Sequence, residues 1–143
     1  MKTIVCRFAI LAVLWLASAA VYADEVVVIV NPSNALTEIS VDDVKKIYLG
    51  KKKFFPNSDV KVIPGDQPKG SESRKFFYGG IIGKTESKLK SYWSRMIFTG
   101  KGTPPKVIGH DDVVRKWVAE QPRAMGYILR SKVDNSVKVL DLK

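Results

Sequence analysis

Five apolar residues in succession, Val26-Val27-Val28-Ile29-Val30, follow the charge of Glu25 and stop at Asn31-Pro32-Ser33-Asn34. A β-branched run of that length, closed by turn residues, predicts a buried strand. Beyond the turn the period changes. Ser40 precedes a stretch in which Val41, Val44, Ile47 and Tyr48 share one helical face, Asp42 and Asp43 occupy the first turn, and Gly50 closes the last. This spacing predicts a helix over 40–49. A strand follows over 59–64, ended by Pro64. A helix over 71–82 turns Phe76, Phe77, Ile81 and Ile82 inward, with Gly79 and Gly80 weakening its last turn. Thr85 opens a helix over 85–98, where Leu89, Tyr92, Trp93, Met96 and Ile97 recur at helical spacing and Glu86 and Lys90 stand four apart as an ion pair. Another helix, 110–120, carries Val113, Val114, Trp117 and Val118 inward, and Pro122 ends it. The strands 125–129 and 137–140 close the chain. Strands alternating with helices predict an α/β domain in which 25–30, 59–64 and 125–129 lie in one mostly parallel sheet flanked by helices.

Not all of the 143 residues belong to that domain. Residues 1–23 begin with Lys2 and Arg7, continue through an apolar stretch from Phe8 to Leu16, and end in Val21-Tyr22-Ala23. This is the pattern of a secretory signal peptide with cleavage after Ala23, and it predicts export to the periplasm. The mature chain, 24–143, has a length that suits one domain. The only cysteine, Cys6, leaves with the leader, so neither a disulfide framework nor thiolate chemistry is available. The formal charge falls from +10 to +8 as Lys2 and Arg7 are removed, which favours anionic partners. Export argues against nucleic acid as that partner. The basic residues are dispersed, and Lys51-Lys52-Lys53, the single run of three, reads as a solvated loop.

Candidate chemistry concentrates at Gly70-Ser71-Glu72-Ser73-Arg74. A small, hydroxyl-rich turn that opens a helix points free backbone N–H groups at one spot, where the helix dipole adds positive character. Ser71 and Ser73 add hydroxyl donors and Arg74 a full charge. The plainer alternative is an ordinary Ser N-cap. In α/β sheets ligands sit beyond the carboxyl ends of strands, and both this turn and the Asn31–Asn34 turn hold such positions. Catalytic constellations are not apparent. His110 is the sole histidine, and its place ahead of a helix suits a cap. Zinc would need three or four convergent ligands, Ser71 lacks a Gly-x-Ser-x-Gly elbow, and no P-loop occurs. No enzyme and no cofactor are predicted.

The order of motifs resembles that of the phosphate-binding proteins of ABC transporters. Leu36 to Lys51 is similar to their helix followed by Tyr/Phe-x-Gly-Lys. Gly70-Ser71-Glu72-Ser73-Arg74-Lys75-Phe76-Phe77 resembles their Gly-Ser-Gly-Thr-Arg-x-x-Phe anion loop, and Pro122-Arg123-Ala124-Met125-Gly126-Tyr127-Ile128 their Pro-Gly-Ala-Ile-Gly-Tyr strand entry. The matches span nearly the whole mature chain. They imply a one-lobe periplasmic-binding-protein-like domain of type 2, since all belong to the second of the family's two lobes. The loop glycine and threonine of the family stand here as Glu72 and Ser73, and the family arginine four residues before the loop serine falls at Gln67, which carries no charge.

Two functions follow. The first is a periplasmic solute-binding module for phosphate or a similar oxyanion, linked to phosphate transport. Ser71, Glu72, Ser73, Arg74 and Gln67 would form the ligand-binding set, with Ser33 and Asn34 closing the opposite side. One lobe without a lid predicts a Kd of about high micromolar to millimolar. The second is a non-catalytic envelope interaction module that kept the fold and lost the ligand, docking a transporter, porin or sensor component. Whether a homodimer supplies the second lobe is left open.

Overall fold

The continuous apolar run becomes the middle of a six-stranded sheet. Strand β1 (Val26–Val30) lies between β5 (Ala124–Leu129) and β6 (Lys138–Leu142), antiparallel to both. Beyond β6 is β2 (Glu38–Ile39), parallel to it. Beyond β5 come β3 (Ile63–Asp66) and the edge strand β4 (Lys106–Val107), each parallel to its neighbour. The sheet order is therefore β2-β6-β1-β5-β3-β4. Three of the five ladders are parallel, and the two antiparallel ones both belong to β1. The computed structural model describes residues 24–143; the expected leader and its cleavage site lie outside them.

Alternation along β1 divides the core into two layers. Val28 and Val30 pack with helices α1 (Val41–Tyr48) and α3 (Glu86–Phe98) and with the segment between α2 (Glu72–Phe76) and α3. Val27 and Ile29 face the other way, against Val114 and Val118 of α4 (Asp111–Glu120). A strand covered on both sides must be apolar at every position, which is why the run does not alternate.

Helix starts follow their caps. Ser40 Oγ accepts from Asp43 N at 3.0 Å, Ser71 Oγ from Arg74 N at 3.1 Å, and Thr85 Oγ1 from Lys88 N at 3.2 Å. His110 holds the N-cap position of α4, but its ring makes no cap hydrogen bond, a correction to the expected cap.

The predicted helix over 71–82 divides. Its first part is α2, and Phe77–Ile82 widens into a π-helical segment ended by Gly83 at φ 74°. Gly79 and Gly80, which favour the α form less than any residue but proline, sit inside the widened turn. The shift rotates the inward face: Phe77 and Tyr78 are buried, whereas Phe76 is exposed. Ile97 and Val113, expected inside, also stand exposed, and Trp117 is half-buried against the α4 layer.

The strand predicted over 59–64 begins later than its pattern. Phe55 N donates to Val60 O and Val62 N to Lys53 O, both at 3.0 Å, so 59–62 folds back on 53–55 as a short antiparallel turn. Only Ile63 onward joins the sheet, and Pro64 lies within β3 instead of ending it. Ile63 N donates to Arg123 O, toward β5. Position 64 therefore faces the far edge, where β4 pairs only with Gly65 and Asp66, and no ladder bond is lost to the missing N–H.

Candidate functional site

Strand β3 ends in Asp66, and the chain turns through Gln67, Pro68, Lys69 and Gly70 (φ 86°) into α2. The left-handed backbone at Gly70 is what lets the turn close. Asp66 is 3% exposed and its carboxylate takes four donors. Oδ1 accepts from Gln67 N at 2.8 Å and from the Tyr127 hydroxyl; Oδ2 accepts from Arg74 Nη1 at 2.8 Å and Tyr78 Oη at 2.9 Å. Both phenols sit in an aromatic cluster, with the Phe77 and Tyr127 rings stacked 3.9 Å apart and Tyr48 edge-on to each. Burial, reinforced by the Asp66 charge, raises the pKa values of Tyr48, Tyr78 and Tyr127, so these hydroxyls remain donors.

Arg74 reaches across this network. Nε and Nη2 donate to the two oxygens of Glu86 at 2.6 and 3.2 Å, while Nη1 binds Asp66 and the Gln67 carbonyl. Its guanidinium also lies 4.8 Å above the Tyr78 ring. Burial works against its charge, but the Glu86 hydrogen bond and the Asp66 field outweigh that and raise its pKa. Glu86 is held below its ordinary value, first by the hydrogen bond to Arg74. The charge expected for an incoming anion is thus shared by two carboxylates. The Glu86–Lys90 pair expected along α3 does not form, because Glu86 turns to Arg74 instead.

Ser71, Ser73 and Gln67 lie together, and Gln67 and Ser73 hold a carboxylate of this same chain. Gln67 Nε2 donates to Asp111 Oδ1 at 2.7 Å, and Ser73 Oγ donates to the same oxygen at 2.6 Å. Ser71 Oγ donates to Gln67 Oε1 at 3.2 Å while accepting from Arg74 N, so it caps the helix and orients the amide at once. Gln67, 1% exposed, is further fixed by its bond to Tyr127 O at 2.8 Å. Glu72 and Ser73, as the first residues of α2, have backbone N–H groups without intrahelical acceptors. They line a recess of about 220 Å³ in which Glu72, Asp111 and Asp112 face Lys132. The Glu72 side chain is exposed.

Ser33 and Asn34 stand elsewhere, which corrects their place in the ligand set. Strand β1 is antiparallel to β5, and β5 is parallel to β3. The carboxyl end of β1 therefore lies at the opposite end of the sheet from the Ser71 turn. There Ser33 Oγ donates to Asn31 Oδ1 at 2.7 Å, and Asn31 Nδ2 donates to Val118 O and Ala119 O at 3.0 Å each, closing the end of α4. Asp66, Tyr78, Tyr127 and Asp111 were not singled out by sequence as members of this site. Asp111 reads as a first-turn acid favoured by the dipole; the contact with Ser73 spans 38 residues and has no local signature.

This arrangement of sheet and helices defines a fold, that of the substrate-binding proteins of phosphate transporters. The chain aligns with a Clostridium perfringens protein assigned as a phosphate ABC transporter substrate-binding protein and solved with bound phosphate, at a TM-score of 0.68 and 21% identity over 83% of this chain and 45% of that one. An ABC-type phosphate transport receptor from Vibrio cholerae aligns at 0.69 and 21% identity, covering 83% of this chain and 46% of that chain. PstS from Borrelia burgdorferi aligns at 0.65 and 18%, covering 84% and 47%. The chain spans less than half the length of these structures. No family model matches it. No curated protein matches it either.

Proposed function

We propose that this chain is a non-enzymatic, one-lobe solute-binding module of the phosphate-transport type, working in the periplasm as residues 24–143. In this reading the Asp111 carboxylate stands where an oxyanion oxygen would be held. The reading rests on the convergence of the Gln67 amide and the Ser73 hydroxyl on one anionic oxygen, with Ser71 orienting the amide. Donors placed in this way suit a phosphate oxygen as well as a carboxylate, because both are charged acceptors. Asp111 is only partly buried and begins α4, so its side chain can turn toward solvent without unfolding either helix.

An oxyanion entering the recess would gain the Ser73 hydroxyl, the Gln67 amide and the N–H groups of Glu72 and Ser73. It would meet Glu72 and Asp112 as repelling charges, and Arg74 would contribute little because two carboxylates neutralise it. Affinity in the millimolar range follows, about −4 kcal/mol. The test is an NMR titration of the mature protein with phosphate, following the Glu72 and Ser73 amides. Saturable shifts at millimolar phosphate support capture, and no shift at tens of millimolar rejects it.

The neutralisation of Arg74 favours a second reading, an envelope interaction module whose anion loop has become structural. Docking partners would then be a transporter, porin or sensor component, and the same titration would stay flat.

A further inference from the structure

From 87 to 110 the chain carries five basic residues and no acidic one. The same stretch leaves large apolar side chains in solvent: Phe98, the last residue of α3, is 92% exposed, and Ile97 and Val107 are exposed by about half. Phe98 does not owe its exposure to a frayed helix end. Thr99 N donates to Arg95 O at 3.0 Å, Gly100 N to Ile97 O at 3.1 Å and Lys101 N to Met96 O at 2.9 Å, so the last turn is closed and the ring is presented on ordered backbone. Apolar surface held in solvent and rimmed by charge marks a site of interaction.

The surface is continuous across the edge of the sheet. Two grooves, of about 280 and 260 Å³, flank a ridge made by Pro104 and Pro105, which line both. Each is smaller than the ~300–1,000 Å³ of small-molecule pockets. The first holds Ile97 and Val107 with Lys69 and Lys90, and the second holds Ile63 with Lys53 and Lys106. The acids that line them, Asp66 and Glu86, are both committed to Arg74, and Lys52 of the second groove is paired with Asp43. Lys53, Lys69, Lys90 and Lys106 have no ion-pair partner among the described residues, nor do Arg95 and Lys101 on either side of Phe98 in sequence. The uncompensated charge of this face is therefore wholly positive.

We propose that this face docks on an anionic phospholipid bilayer, with Phe98 and Ile97 entering the boundary between headgroups and acyl chains and the surrounding cations meeting lipid phosphates. Apolar burial and attraction to anionic lipid act together in such docking. Lysine suits the rim, because its apolar stem lies along the surface while its head reaches the phosphates. A fluid bilayer receives a protruding aromatic ring anywhere on its surface, whereas an acidic protein would need a pocket cut to fit Phe98. The two grooves share no lining residue with the Ser71 recess, so the docked protein keeps that recess open, and the proposal does not rest on phosphate capture.

The test is co-sedimentation of the mature protein with vesicles of equimolar phosphatidylglycerol and phosphatidylcholine, with pure phosphatidylcholine vesicles and soluble polyglutamate run in parallel. The protein should partition onto the anionic vesicles at low salt, leave them as salt is raised to about 0.5 M, and ignore phosphatidylcholine. Phe98→Ser should weaken partitioning about tenfold through lost apolar burial. Lys90→Gln/Lys101→Gln/Lys106→Gln should weaken it about tenfold or more. A control with the same loss of charge on other surfaces, Lys75→Gln/Lys116→Gln/Arg123→Gln, should weaken it far less, with circular dichroism confirming that all three variants fold. Absence of partitioning onto anionic vesicles at low salt overturns the proposal. Equal binding to phosphatidylcholine, indifference to Phe98→Ser, or an equal loss in the control does so as well. Capture of polyglutamate without vesicle binding would give the face to an acidic protein instead.

Discussion

Arg74 decides what the site can do, and its role changes between sequence and structure. As a residue after an anion loop it reads as a ligand. In the folded protein its side chain is 8% exposed, bound to Asp66 at 2.8 Å and Glu86 at 2.6 Å. Removing one member of a buried pair leaves its partner uncompensated, at a cost of about 3–5 kcal/mol. Arg74→Ala should therefore lower unfolding free energy by roughly that amount, read from urea denaturation, with Asp66 left charged beneath Tyr78 and Tyr127. A loss below about 1 kcal/mol would mean that the pair is not structural. The same contacts set an acid limit. Glu86 titrates lower in the folded protein than in the unfolded chain, chiefly through its hydrogen bond to Arg74. Its contribution is complete above the unfolded pKa of about 4.3 and disappears as pH falls through the lower folded value. Thermal melts of wild type and Glu86→Gln should diverge above about pH 5 and draw together as the pH falls below the unfolded value. Glu86 is half-exposed, so the direction is the prediction. At this scale the hydroxyls of Ser71 and Ser73 could be picked out because they belong to one turn, whereas Gln67 entered only through the resemblance, as the position of the family arginine. Asp111 could not be picked out, because 38 residues separate it from Ser73 and its meaning arises only when α4 is laid on the sheet.

At the scale of elements, caps and periodicity carried far. Ser40, Ser71 and Thr85 start helices where their spacing puts them, and the β1 run is buried on both faces as its lack of alternation implies. Two failures have definite causes. The Val60–Val62 alternation is real but serves a turn against 53–55, since a two-residue period cannot say which strand it will pair with. The Gly79-Gly80 pair was read as a weak helix end, and its effect is a wider turn that exchanges Phe76 for Tyr78 in the core. A third element-level feature, the seating of α4, depends on a missing side chain. A Cβ at Gly126 would meet Val114 Cγ1 at 2.6 Å and Val118 Cγ2 at 3.1 Å. Gly126→Ala should lift α4 from the sheet and cost about 1–3 kcal/mol, the range for overpacking, measured as a lowered denaturation midpoint. An unchanged midpoint would show that the helix seats elsewhere.

For the whole molecule, the polarity of the sheet governs what the site contains. Alternating strands and helices made the α/β class legible, but strand direction was not, because nothing in the β1 run records that both its neighbours oppose it. That reversal sends the Asn31–Asn34 turn to the far end and leaves the Ser71 turn to face α4. The solved structures with this fold are more than twice as long as the aligned part of this chain, so the turn here has no second lobe opposite it within residues 24–143. In the proposed reading Asp111 fills that place from within. The measurement that tests this most directly is phosphate calorimetry on wild type and Asp111→Ala, with circular dichroism confirming that α4 persists. Removing the carboxylate frees the Ser73 hydroxyl and the Gln67 amide and deletes a repelling charge, so the variant should bind phosphate about tenfold or more tightly than wild type. Equal or weaker binding by a folded Asp111→Ala protein would contradict the account.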